Sequence, residues 1–242
     1  MSSWMLFGHV LLGSAQLGAY LYRVIRPHKF GIYGPSMSGK TTLDQYLTVP
    51  GDIDPIPTEM RTTHPIQGGR FDRPRSTKKQ VRWNGNKFPI ASADVGGQTR
   101  YWNLWAEDMV ERSVKIVFYV VDHRILQSQH VGQEAVAGFR YLVDIMTNVS
   151  FPSTFNRLHK KRARSWKPSV VCLVLNKMDI WWDGTSQDLW DHGFKRQHPL
   201  VLPFQEDMRR LRRAGIATNV EAISAQYGLN VERAVVDTLT MV

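Results

Sequence analysis

The chain has 242 residues, 43% of them hydrophobic, with a formal net charge of +10 and one cysteine, Cys172. That length and apolar content support a single α/β domain with a substantial core and exclude a chain disordered over most of its length. A lone cysteine excludes a disulfide framework and a cysteine-rich metal site and points to a reducing setting. The positive excess favours an anionic surface beyond any small ligand, either acidic lipid head groups or nucleic acid.

From Trp4 to Tyr22 no side chain is charged when histidine is neutral, and Arg23, Arg26 and Lys29 follow at once. A run of about 19 such residues approaches the span of a bilayer, and the basic flank would keep its C-terminal side in the cytoplasm. His9, Gln16 and Arg23 fall seven apart, with Gly13 and Tyr20 on the same stripe, which permits an interfacial helix as well. No basic N-terminal region or small-residue cleavage pattern marks a removed secretion signal. Ser2 stands where myristoylation needs glycine, and Thr240-Met241-Val242 carries no prenylation signal. Residues 1–26 are thus expected to form an apolar membrane-binding helix, with residues 27–242 as one further domain. The alternative is a helix packed onto that domain.

Phe30-Gly31-Ile32-Tyr33 reads as a strand, and Gly34-Pro35-Ser36-Met37-Ser38-Gly39-Lys40-Thr41 follows it as a complete phosphate-binding loop, G-x-x-x-x-G-K-[ST]. Thr42 to Leu47 continues as a helix. Glycines let the backbone curl so that N–H groups of Ser36, Met37, Ser38, Gly39 and their neighbours face phosphate oxygens, and the helix adds its positive end. Lys40 would reach the β- and γ-phosphates, and the Thr41 hydroxyl would hold Mg²⁺. Pro50-Gly51 to Arg75 is rich in Pro, Gly and Thr and suits a mobile segment. Gln80–Trp83, an Asn84-Gly85 turn and Lys87–Ala93 read as a hairpin.

Asp94-Val95-Gly96-Gly97-Gln98 ends that second strand. Asp94 could hold Mg²⁺ through water, the Gly97 N–H could sense a γ-phosphate, and Gln98 could orient an attacking water. Ile116 to Val121 is a continuous apolar run ending at Asp122, the pattern of a buried central strand. Gly132 to Thr147 reads helical, with Val136, Phe139, Leu142, Val143 and Met146 on one side. Next comes a basic cluster, Arg157, Lys160, Lys161, Arg162, Arg164 and Lys167. Solvated surface, a membrane-facing patch and a nucleic-acid patch are its three readings. Trp166 is its only aromatic, which argues against nucleic acid.

Val170 to Leu175 is a further strand, closed by Asn176-Lys177-Met178-Asp179. The Asp179 carboxylate can accept hydrogen bonds from guanine N1–H and the 2-amino group, a donor pair adenine lacks. The Lys177 stem would lie over the base. Residues 180–213 carry Trp181, Trp182 and Trp190, of which an exposed remainder would mark a partner surface. That stretch ends with Arg209, Arg210, Arg212 and Arg213 in a short helix. His159, His192 and His198 lack metal-ligand spacing. In Ile223-Ser224-Ala225 the Ala225 N–H, beside Ser224, could donate to guanine O6, and Val231–Leu239 fits a closing helix.

Four motifs in order, each at a strand end, resemble the Ras-like small GTPases. Asp94-Val95-Gly96-Gly97-Gln98 running into Thr99-Arg100-Tyr101-Trp102-Asn103-Leu104-Trp105 is most similar to the Arf branch. The resemblance covers residues 28–242 and implies a P-loop NTPase fold: α/β, with a mainly parallel sheet flanked by helices. It implies Mg²⁺-dependent GTP hydrolysis, cycling between GTP and GDP, and effector, exchange and activating proteins as partners. The family's switch threonine, which meets Mg²⁺, has candidates in Thr58, Thr62 and Thr63. Pro57-Thr58 resembles the Arf-like switch, but Thr62 and Thr63 lie nearer the hairpin and are preferred. Arf-like proteins commonly carry an N-terminal amphipathic helix, and the beta subunit of the signal recognition particle receptor carries a true span. The expectation is therefore a GTPase switch on the cytoplasmic face of a membrane, bound through residues 4–29. Two rivals are a nucleotide-gated binding protein with little hydrolysis and a basic GTPase serving RNA or ribosomes. No built-in catalytic arginine is identifiable from sequence.

Overall fold

The computed structural model describes residues 28–48, 66–67, 70–71, 77–83, 86–92 and 95–242. Residues 1–27, including the apolar run, lie outside them, as do Thr58, Thr62, Thr63 and Asp94. No helix among the described residues is long and apolar enough to cross a membrane.

In chain order the strands are β1 (His28–Tyr33), β2 (Ile66–Gln67), β3 (Arg70–Phe71), β4 (Thr77–Trp83), β5 (Asn86–Ser92), β6 (Ile116–Val121), β7 (Val170–Leu175) and β8 (Ala217–Ala222). Six of them form one sheet in the order β4-β5-β1-β6-β7-β8, and β2 pairs with β3 alone. The strands β5, β1, β6, β7 and β8 run parallel, with β4 antiparallel at the edge. Phe30 pairs with Ile116, Ile116 with Val170, and Val170 with Ala217, so β6, β7 and β8 start in register and β1 begins two residues earlier.

Every residue of β6 and β7 is buried. Continuous apolar runs are what strands covered on both faces require, and the two-residue side-chain period then divides them between two cores. Phe30, Ile32, Phe118, Val120, Cys172 and Val174 share one core with Leu43 and Leu47 of helix α1 (Lys40–Thr48) and with the last helix, Val231–Leu239. The Phe30 and Phe118 rings meet edge-on at 4.9 Å. Val117, Tyr119, Leu173 and Leu175 face the other way. There they meet α2 (Trp102–Arg112), α3 (Gln129–Met146), α4 (Arg157–Ser165) and, after α5 (Gly184–Asp191), α6 (Gln205–Arg213).

Side-chain caps set several of these boundaries. Ser128 Oγ accepts from Val131 N at 3.4 Å, starting α3 three residues before its apolar period becomes legible at Gly132. Asn156 Oδ1 accepts from His159 N at 2.9 Å and starts α4, inside a stretch whose sequence marks no helix. Of α4 only Ala163 is buried. Arg157, Lys160, Lys161 and Arg164 form an exposed stripe and make no ion pair among the described residues. Asp183 Oδ1 accepts from Ser186 N at 2.8 Å and starts α5.

Trp181 and Trp190 pack against the core, and the Trp182 ring lies 5.1 Å from that of Trp190. All three are half-buried, so none is left as a fully exposed tryptophan. The exposed apolar groups near them in sequence are Ile180 and Phe194.

Chain order and strand order together locate the site. After β1 the chain crosses to the β4–β5 side and then returns to the β6 side. Such a change of direction opens a crevice at the carboxyl ends of parallel strands. The segments after β1, β5, β6, β7 and β8 all leave from that edge, and they carry all four sequence motifs.

Candidate functional site: five loops at the carboxyl edge of the sheet

The loop from Gly34 to Thr41 has two positions that admit only glycine. Gly34 has φ +142°, and a Cβ there would lie 2.1 Å from the Val120 carbonyl oxygen. Gly39 has φ +89°, and its Cβ would lie 2.1 Å from Asn176 Nδ2. Met37 also takes a left-handed φ, +62°, with its side chain exposed. A non-glycine residue held there costs of order 1–3 kcal/mol, and such positions cluster at ligand clamps.

Lys40 is buried and its Nζ donates to the Pro35 carbonyl at 2.7 Å, folding the ammonium back across the loop. Ser38 is fully buried and its Oγ has no hydrogen-bond partner among the described residues. A buried hydroxyl left unsatisfied is costly, and an anion in the loop would satisfy it. Helix α1 begins at Lys40 with no acidic residue in its first turn, leaving its positive end free for an anion. Thr41 and Thr42, both half-buried, open that helix.

Gly97 closes the loop from the other side. Its Cβ would lie 2.5 Å from both Pro35 C and Ser36 N and 2.6 Å from the Gly34 oxygen. The Trp105 indole N–H holds the preceding carbonyl, Gly96 O, at 2.8 Å. Gln98 is half-buried beside this contact, and its amide makes no hydrogen bond among the described residues.

Asn176 ties three segments together. Its Nδ2 donates to Ser38 O at 2.9 Å, its Oδ1 accepts from Ala225 N at 3.0 Å, and its own N–H donates to Val121 O at 2.8 Å. The Ala225 N–H is thus engaged by Asn176, and a guanine oxygen would have to share it. Ser224, adjacent, is fully buried, and its Oγ has no partner among the described residues. Asp179 sits on the one-turn helix Met178–Trp181, whose Met178 N–H donates to Ile223 O at 3.0 Å. The Trp181 indole bonds Asn176 O at 2.8 Å. On this pinned turn the Asp179 carboxylate is exposed, with no partner among the described residues.

Two site residues were not legible as such. Asp122, read only as a strand end, is 1% exposed. Arg124 Nε donates to both its oxygens at 2.9 Å, and Lys177 Nζ approaches Oδ2 at 2.7 Å. Burial pushes the Asp122 carboxyl up, but the two cations outweigh it and hold it below the usual range. A lowered folded-state pKa contributes stability above the unfolded value that is lost as pH falls through the folded one. The carboxylate is therefore charged at neutral pH. The two cations also reach the loop. Arg124 donates to Ser36 O and Lys177 to Met37 O, each at 3.2 Å. The signal available was an acid closing a wholly apolar strand with an arginine two residues on.

This arrangement can cradle a polyphosphate in N–H groups, a lysine and a helix end, and can present a carboxylate to a base. Among the described residues no group of three or more His, Cys, Asp or Glu converges, so a divalent ion here would draw on hydroxyl, phosphate and water ligands beside any single carboxylate such as Asp94, which lies outside them. The half-buried Thr41 at the helix start suits such an ion. No protein-family model matches this chain, and no curated protein matches it in sequence.

Proposed function

We propose that the chain is a guanine-nucleotide-binding switch with the P-loop NTPase fold, Ras-like and most similar to the Arf branch, that hydrolyses GTP. The observation that carries this reading is the Asn176 side chain, which joins the Gly34–Thr41 loop to the Ile223–Ala225 segment three residues before Asp179. Phosphate and base recognition are then parts of one rigid unit. Lys40, the start of α1 and the loop N–H groups bind the phosphates. Asp179 selects guanine.

In hydrolysis a water oxygen bonds to the γ-phosphorus while the bond to the β–γ bridging oxygen breaks, leaving GDP and inorganic phosphate. Gln98 orients that water, and Lys40 offsets charge developing at the phosphates. Thr41, with Asp94 and Thr62 or Thr63 outside the described residues, would hold Mg²⁺, which supplies charge neutralisation at the phosphates when bound. Loss of the γ-phosphate releases the segments near Thr62 and Gly97, which effector, exchange and activating proteins would read. The test is competition: unlabelled GTP should displace fluorescent GDP from the full chain at least about a hundredfold more effectively than ATP, the worth of two charge-assisted bonds. Equal displacement by ATP would rule out the guanine assignment.

The switch is placed on the cytoplasmic face of a membrane by residues 4–29. Trp4, Met5, Leu6, Phe7, Val10, Leu11, Leu12, Leu17 and Leu21 offer large side chains worth about 1.5–3 kcal/mol each on burial, enough to outweigh His9 and Gln16. The exposed stripe Arg157, Lys160, Lys161 and Arg164 would add attraction to an anionic leaflet at about 1 kcal/mol per charge near the surface. Full-length protein should float with liposomes, while a chain starting at Pro27 should stay soluble with GTP binding intact. Recovery of the full chain as a lipid-free monomer that ignores liposomes would refute the anchor.

A further inference from the structure

We propose that Asp122 is a positioning hub of the nucleotide site and that Arg124 is its arm at the γ-phosphate end. This rests on the guanine-nucleotide reading above. One buried carboxylate gathers two cations, and each cation reaches one of two successive loop carbonyls, Ser36 O and Met37 O, at 3.2 Å. In a planar trans peptide the carbonyl and the following N–H point in opposite directions. Drawing the Ser36 and Met37 carbonyls toward the hub therefore turns the N–H groups of Met37 and Ser38 away from it, as an anion cradle needs. One carboxylate against two cations also leaves the hub a net positive charge, and neither cation has another acidic partner among the described residues.

The two arms serve different ends of the ligand. Ser36 carries Arg124 on its carbonyl, and its nitrogen lies 2.5 Å from where a Cβ on Gly97 would sit. Gly97, the residue read as sensing the γ-phosphate, rests on the Pro35–Ser36 peptide, and Arg124 holds the peptide that follows, joined to it at the Ser36 Cα. Lys177 belongs to the base motif and braces the next peptide. The Arg124 side chain is 24% exposed. It acts through Ser36 and Gly97 on the water and phosphate and is a positioning residue.

The experiment compares full-length wild type, Arg124→Ala, Arg124→Lys and Lys177→Ala for affinity to fluorescent GDP and GTP and for single-turnover GTP hydrolysis. Arg124→Ala should slow hydrolysis and reduce the preference for GTP over GDP by about 10–100-fold, the size of one charge-assisted contact, with GDP affinity nearly unchanged. Arg124→Lys should recover part of both, since a lysine supplies charge without the two-pronged fork. Lys177→Ala should weaken GDP and GTP together. If Arg124→Ala leaves hydrolysis at the wild-type rate, or lowers GDP and GTP affinity equally, Arg124 is a general brace and the proposal fails. Failure of wild type to bind any guanine nucleotide is a separate result that overturns the parent reading.

Discussion

Asp179→Asn should convert the site from guanine to xanthine recognition. The wild-type carboxylate is exposed on a turn pinned by Met178 N–H to Ile223 O and by the Trp181 indole to Asn176 O. It makes no contact among the described residues that an amide of the same shape would lose. Thermal stability should therefore stay within the error of measurement, and the whole effect should fall on the ligand. Two charge-assisted hydrogen bonds of about 1.5–3 kcal/mol each are at stake, so GDP and GTP affinity should drop by about 10²–10⁴ at 1.4 kcal/mol per decade. The amide can donate to the 2-oxo group of xanthine, so xanthosine triphosphate affinity should rise. Equilibrium titration of both nucleotides against both proteins reads this directly. An unchanged guanine affinity would remove Asp179 from base recognition.

Local patterns were legible where one physical constraint acts alone. Ile116–Val121 and Val170–Leu175 could be bounded because a strand covered on both faces has no polar position, and Asp122 and Asn176 break each run. The helix Val231–Leu239 was legible from its buried stripe. Strand β4 begins at Thr77 rather than Gln80, because its register with β5 carries the pairing on to Thr77–Ser92. That extension depends on a partner strand and not on side-chain pattern. Helix α4 was invisible because its face toward the core is a single alanine, too little for a period to register. The motifs read as phosphate- and guanine-binding stood out through residue types at fixed spacing. Their mutual bracing did not, since Ser36, Gly97, Asp122 and Lys177 are far apart in sequence and only the β5-β1-β6-β7 strand order brings them together. Arg124 is the clearest case. Nothing in its neighbourhood in sequence says that its guanidinium meets a loop carbonyl 88 residues away.

Lys40→Ala should abolish useful nucleotide binding, and Gln98→Leu should not. Lys40 is the buried cation of the loop, and its Nζ already spans the turn to Pro35 O at 2.7 Å. Alanine removes that brace and the charge proposed to face two phosphate groups. At about 1.5–3 kcal/mol for each charge-assisted bond, losing contacts to the β- and γ-phosphates should cost about 10²–10⁴ in affinity for GTP, and losing the β-phosphate contact alone about 10–100-fold for GDP. Gln98 is different in kind. Its amide bonds nothing among the described residues, so leucine there should leave both affinities close to wild type while slowing single-turnover hydrolysis, because only the water loses its guide. The pair of variants separates binding from chemistry: one moves the titration curve and the other moves the rate. Wild-type hydrolysis in Gln98→Leu would strip that residue of its role and favour a protein that binds nucleotide without turning it over. Retained GDP affinity in Lys40→Ala would be the more damaging result, since a loop that holds phosphates without its buried lysine is not the loop described by these contacts.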